Sequence, residues 1–236
     1  MMRRTTGKAG VLVAVVALAI GGCSLGRKTT PLEQYVLGEA RSVENPAPVD
    51  LRSLVIGVRR LDLAPYLATP AIAVRRESRI VHSEYHRWGE DPREGINRAV
   101  ARYLAALPVR AVDVAPWPAA SRHDFLVQLH VSRFEGVATP AGAGEAHLLS
   151  SWEIYREQDG TVLARGTTDY REPGWQIGDY AGLVMLLDRG LRTLVNDLAS
   201  CLGTLAADPP TSTAGGSPTE PRPTLACVAT STSPPS

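Results

Sequence analysis

The sequence has almost no surplus charge of either sign. Its 236 residues carry 25 Lys and Arg against 24 Asp and Glu, a formal net charge of +1. A nucleic-acid binder ordinarily shows a basic excess or stripe, so no nucleic-acid partner is expected. Long apolar runs are scarce: after the run at 9–20, none is long enough to span a bilayer. Catalytic signatures are missing too. There is no P-loop, no G-x-G-x-x-G and no G-x-S-x-G elbow. His82 and His86 form an i, i+4 pair, but on the strand read there they stand about 13 Å apart, and the order is not H-E-x-x-H. No metal, cofactor or catalytic residue is therefore expected. Ser121, His123 and Asp124 share one loop and leave an unrecognised hydrolase as an alternative. Replacing all three by alanine discriminates it.

What is present begins with the first thirty residues. Arg3, Arg4 and Lys8 precede the uncharged run "AGVLVAVVALAI". As a helix that run spans only about 18 Å, against roughly 30 Å of bilayer hydrocarbon, which fits a secretory leader rather than a membrane span. Gly21, Gly22 and Cys23 follow at once. "Ile20-Gly21-Gly22-Cys23" resembles the bacterial lipobox, in which the cysteine is lipidated and becomes the first residue of the mature chain. The expected division is a leader over 1–22 and a lipidated tether over 23–32. More than one acyl chain holds a protein stably on a membrane. Ser24 after the cysteine, rather than Asp, resembles an outer-membrane address.

Between the tether and residue 206 lies enough chain for one domain. Strands are expected at 33–38, 52–60, 71–75, 79–85, 109–114, 124–135, 147–156 and 161–170. Asp159-Gly160 signals a hairpin. Asp91 reads as an N-cap, with Pro92 at the first helical position and Glu94 three residues after the cap. Apolar residues at 96, 99, 100, 103, 104 and 107 then form one helical face, which Pro108 ends. A longer helix over 179–206 carries Leu183, Leu187, Leu191, Leu194, Leu198 and Leu202. Its Gly190 marks a kink or a close packing contact. The expected fold class is α/β: a single domain with a mixed β-sheet and two amphipathic helices packed on it. The Pro/Ser/Thr-rich stretch 207–236 reads as disordered. Cys201 and Cys227 either pair in a disulfide or remain two free thiols.

Three separated stretches together resemble one family: "VRRLDLAPYLATPAIAVRR" (58–76), "EYHRWGEDPREGINRAVARYLAAL" (84–107) and "PWPAASRHDFLVQLHVSRFEG" (116–136), with "QYVLG" near the start and "WEI" at 152–154. This is similar to the ABC-type transport auxiliary lipoproteins of the PqiC/YmbA group, over about 33–205. Gly89, where relatives often have alanine, and the tail depart from the pattern. The resemblance implies a lipoprotein facing the periplasm; with Ser24 and the missing catalytic set, the expectation is a non-enzymatic lipoprotein on the outer membrane. The resemblance also implies an MCE-domain partner in intermembrane lipid transport and a bearing on envelope integrity. A stand-alone lipid- or ligand-binding lipoprotein is the other reading.

Five residues are candidate partner contacts, each with a structural reading beside it. Tyr66 and Leu67 form a docking knob or cap the core. Arg87 and Trp88 touch a partner or a lipid headgroup, or Trp88 staples the helix entry. Trp117, between Pro116 and Pro118, is a docking aromatic or a stiff corner. The apolar stripe of the last helix faces a second copy, giving a homo-oligomer, or its own sheet.

Overall fold

The computed structural model describes residues 30–39, 50–139, 142–207 and 225–227. Cys23, the leader, most of the tether and most of the tail lie outside the described residues. The chain divides into two compact units, Met1–Pro31 and Leu32–Ser236; the fold below is that of the second.

The sheet is organised around β7 (Phe125–Ala138). On one side β7 pairs along its length, antiparallel, with β8 (Ala143–Arg156), which pairs likewise with β9 (Val162–Gln176). Its other edge is shared by three shorter parallel strands. These are β2 (Leu51–Val58) at Phe125–Val127, β3 (Asp62–Leu63) at His130–Val131 and β4 (Ala71–Arg76) at Gly136–Ala138. The sheet forks there. One branch ends in β6 (Val109–Val114), parallel to β2. The other runs through β5 (Arg79–Trp88), antiparallel to β4, to β1 (Glu33–Tyr35), parallel to the end of β5.

Period-two alternation decides the faces. Phe125, Val127, Leu129 and Val131 turn inward on β7. A bulge at Ser132 then inserts one residue, so Phe134 also turns inward. Opposite them on β8 lie Ile154, Trp152 and Leu148, all essentially without solvent exposure.

Two helices close this face, as the apolar spacing predicts. Helix α1 (Pro92–Ala105) starts at Asp91, whose Oδ1 accepts the Arg93 amide at 2.8 Å. Glu94 turns instead toward Arg60 at 3.5 Å. Helix α2 (Tyr180–Ala207) runs unbroken, its leucine stripe buried. The stripe thus faces its own domain. Gly190 is there for closeness: a Cβ would come within 2.7 Å of the Tyr170 ring.

Two sequence expectations change. Strand β5 extends to Trp88, so "HRW" is strand rather than helix entry. Within the stretch read as disordered, Leu225–Ala226 forms a short strand, β10, parallel to β9 at Ala164–Arg165. The Cys227 amide adds a bond to the Arg165 carbonyl, and Cys227 is disulfide-bonded to Cys201 in α2. A pair separated by 26 residues ties this segment to the helix end and so holds it at the sheet edge.

Candidate functional site

The face of the sheet turned away from the helices is polar, and it is built by register. Gln128, His130, Arg133 and Glu135 of β7 lie opposite Glu153, Ser151, Leu149 and His147 of β8. These in turn lie opposite Arg165, Thr167, Asp169 and Arg171 of β9. Charges on neighbouring strands therefore stand side by side, within reach of one another.

At one end of this face Glu135 is fully buried. Its carboxylate takes a forked bond from Arg75, with Nε at 2.5 Å and Nη2 at 3.3 Å. Removing a charge from water is costly unless it is paired and hydrogen-bonded, which this fork provides. Tyr66 covers the pair. Its hydroxyl donates to the Ser132 carbonyl at 3.0 Å and receives Arg75 Nη2 at 3.4 Å. Burial, reinforced by Glu135, pushes the Tyr66 hydroxyl up to about 12.

Beside this pair His147 has no exposed side-chain surface. Its Nε2 meets Asp169 at 2.9 Å, and Nδ1 has no partner. Burial, with Arg171 and Arg133 nearby, lowers its pKa against the opposing pull of Asp169. The folded state thus prefers neutral imidazole. The unfolded chain begins to bind a proton at this site near pH 6.5, so stability present above that pH is lost as pH falls toward the lower folded value. Thermal melts between pH 7 and 5 should fall more steeply for the native chain than for His147→Gln; parallel slopes would remove this account of His147.

At the other end of the face lies a trough of ≈ 620 Å³ lined by His130, Ser151, Glu153, Arg165 and Thr167, with Cys227 at its rim. Its charges are paired. Arg165 Nε lies 2.6 Å from Glu153, Tyr155 also donates to Glu153, and His130 faces Asp62 at 3.1 Å. Tyr155 and Arg165 hold the Glu153 carboxyl low. Such a trough suits a polar group carrying both donors and acceptors.

Ser121, His123 and Asp124 do not make a relay. His123 is buried with its Nε2 3.0 Å from Asp113 and its Nδ1 3.2 Å from Glu157, while Asp124 accepts the Val55 amide at 2.8 Å. His82 and His86 also part company: His82 meets the Tyr66 carbonyl at 2.9 Å, whereas His86 stacks on Tyr180 with centroids 4.2 Å apart. Among the described residues no group of His, Cys, Asp and Glu is placed to hold a metal.

The candidate contacts fare unequally. Leu67 and Trp88 are buried, Trp88 against Phe134 with ring centroids 5.6 Å apart, so neither offers a surface to a partner. Tyr66 is occupied by the Arg75–Glu135 pair. Trp117 is half-buried on His123, centroids 4.7 Å apart. Arg87 is exposed. Sequence reasoning missed Arg75, Glu135, Asp113 and Glu157. The available signal was Glu135 inside the apolar run of β7, a charge that demands a partner.

Comparison with known proteins agrees with this architecture. The family model described as ABC-type transport auxiliary lipoprotein component matches residues 35–199. No curated protein matches. Among solved structures, a Xanthomonas campestris protein of family model DUF330 is 18% identical. It superposes with a TM-score of 0.62 over 76% of this chain and 97% of its own. A second, uncharacterized protein is 16% identical, with a TM-score of 0.54 over 73% of this chain and 99% of its own. The PelC dodecamer from Paraburkholderia phytofirmans is 16% identical, with a TM-score of 0.38 over 63% of this chain and 91% of its own, too distant to carry an argument.

Proposed function

The chain belongs to the ABC-type transport auxiliary lipoprotein family, and on that premise we propose that it is a non-enzymatic, membrane-anchored subunit of an MCE-type intermembrane lipid transport system. The family is one of envelope lipoproteins and not of enzymes. In this reading Cys23 carries the acyl chains at the outer membrane, and the α/β domain faces the periplasm and engages an MCE-domain protein. The carrying observation is the order of the chain: a lipobox-like "IGGC" precedes a domain that matches the family over 35–199. The use of its buried polar side chains as structural pairs, Glu135 with Arg75 and His123 with Asp113 and Glu157, supports a scaffold rather than a catalyst.

Metabolic labelling with a radioactive fatty acid tests the anchor. The native chain should be labelled, and Cys23→Ala should lose the label and fail to restore detergent tolerance to a null strain. Equal labelling of both, or a null strain with unchanged envelope permeability, contradicts the reading. The second reading, a lipoprotein that binds a polar lipid or ligand alone, is favoured by the trough at His130, Ser151 and Arg165. It predicts co-purified phospholipid in the absence of any partner.

A further inference from the structure

The register places four features at one end of the sheet. Arg76 pairs with Arg79 across the β4–β5 turn and lies beside Ala138 of β7. Ala138 pairs with Gly144, and the neighbouring Ala143 pairs with Gln176, the last residue of β9. The β4–β5 turn, the β7–β8 loop and the β9–α2 junction therefore share this end. The chain itself enters from the same side. Glu33 of β1 pairs with His86 in parallel, so Leu32 precedes it toward Tyr85 and the β4–β5 turn.

This end has a distinctive surface. Among the described residues the exposed large apolar side chains are Leu32, Val36, Val81, Tyr85, Ile177 and Met185. Val81 lies next to the β4–β5 turn, Ile177 at the β9–α2 junction and Leu32 on the chain entering β1, with Tyr85 and Met185 farther along β5 and α2; Val36 lies past Trp88, beside Gly89 and away from the turn. The opposite end, made by the β8–β9 turn and the loop 115–124, has none among the described residues. Within the apolar end Arg76, Arg79, Glu77, Ala138, Thr139 and Ile177 line a pocket of ≈ 280 Å³. Arg75 is committed to Glu135, but neither Arg76 nor Arg79 has an ion-pair partner among the described residues. Glu77 is the one carboxylate in the lining. Arginines beside exposed apolar side chains match the phosphate layer and the upper acyl region of a bilayer.

We propose that this end of the domain rests on an anionic phospholipid surface. Arg76 and Arg79 hold lipid phosphate in the pocket, and Ile177, Val81 and Leu32 enter the interface. The nine steps from Cys23 to Leu32 reach at most about 32 Å, which keeps the surface within range of a lipidated cysteine. In that respect the proposal deepens the anchored reading above, but the contact itself requires no acyl chain. The domain would be oriented, its β8–β9 turn and loop 115–124 away from the bilayer, rather than swinging freely on its tether.

The test uses the mature-length chain Ser24–Ser236, which lacks Cys23 and contains the whole compact unit Leu32–Ser236. Flotation is measured with vesicles of phosphatidylglycerol and phosphatidylethanolamine in equal parts, and with phosphatidylcholine vesicles. The native chain should partition onto the anionic vesicles, more weakly at high salt, and hardly onto phosphatidylcholine. Arg76→Glu with Arg79→Glu should weaken the partition coefficient by about thirtyfold or more, given about 1 kcal/mol per basic residue near an anionic surface. Both side chains are exposed, so an unchanged thermal melt serves as the folding control. Ile177→Ser should lower partition with the charges intact. No partition of the native chain, or equal partition of the double variant, overturns the proposal. Displacement by inorganic phosphate equimolar with the lipid phosphate also overturns it, because the pocket then reads free phosphate. The anchored reading fails separately, through an unlabelled Cys23.

Discussion

Asp188→Ala should destabilise the domain by about 3–5 kcal/mol, the scale seen when one partner of a buried charged network is removed. Asp188 sits inside α2, almost fully buried, and joins three parts of the chain. Its Oδ1 accepts the Gly38 amide at 2.9 Å, and Oδ2 accepts Tyr103 of α1 at 2.6 Å and Arg192 at 3.1 Å. Burial first, and then Asp188, push the Tyr103 hydroxyl pKa upward. Alanine would strand an amide, a hydroxyl and a guanidinium away from water, while Asn, with the same shape, should cost less, about 1–3 kcal/mol. At roughly 2–4 °C per kcal/mol for a chain of this size, Asp188→Ala should lower the melting temperature by around 10 °C. Exchange at the Gly38 amide should rise with it. A loss under about 1 kcal/mol would show that the three segments do not depend on this carboxylate.

The second large effect lies in the sheet. Gly166 is the cross-strand partner of Trp152, and a Cβ on it would fall 2.2 Å from the indole ring. That ring is essentially unexposed and its Nε1 donates to Thr168 Oγ1 at 3.3 Å, so it has nowhere to go. Gly166→Ala should cost about 1–3 kcal/mol, and Gly166→Val more. Trp152→Ala, which empties the same space, should cost about 3–5 kcal/mol. The two residues touch, so their effects should not add: Gly166→Val combined with Trp152→Leu should lose measurably less than the sum of the single changes. Denaturant unfolding of the four chains decides it. Strict additivity would mean that the ring can move aside.

Local signals were readable where chemistry and geometry are local. The Asp91-Pro92 start of α1, the Asp159-Gly160 hairpin and the leucine stripe of α2 each follow from residues a few positions apart. The α/β class followed from their order. The fork of the sheet did not, because β7 offers one edge to three strands whose placement depends on the whole sheet. Glu135 and Arg75 are 60 positions apart, and their pairing exists only once β4 lies beside β7. Leu225–Cys227 was hidden by its surroundings: a short apolar interval in a Pro/Ser/Thr-rich tail says nothing about β9, or about which cysteine Cys227 meets. The docking candidates suffered from the same limit. Trp88 and Leu67 look alike in sequence whether they face solvent or the core, and tertiary packing buried both.

The central claim is that a lipid-anchored domain serves an MCE-type transporter. In-cell cross-linking of a tagged chain, followed by mass spectrometry and run beside a Cys23→Ala control, tests it most directly. The account predicts that an MCE-domain protein is captured with the native chain and only weakly with the control. Capture of the chain itself or of other envelope proteins, with no MCE-domain protein, would contradict it.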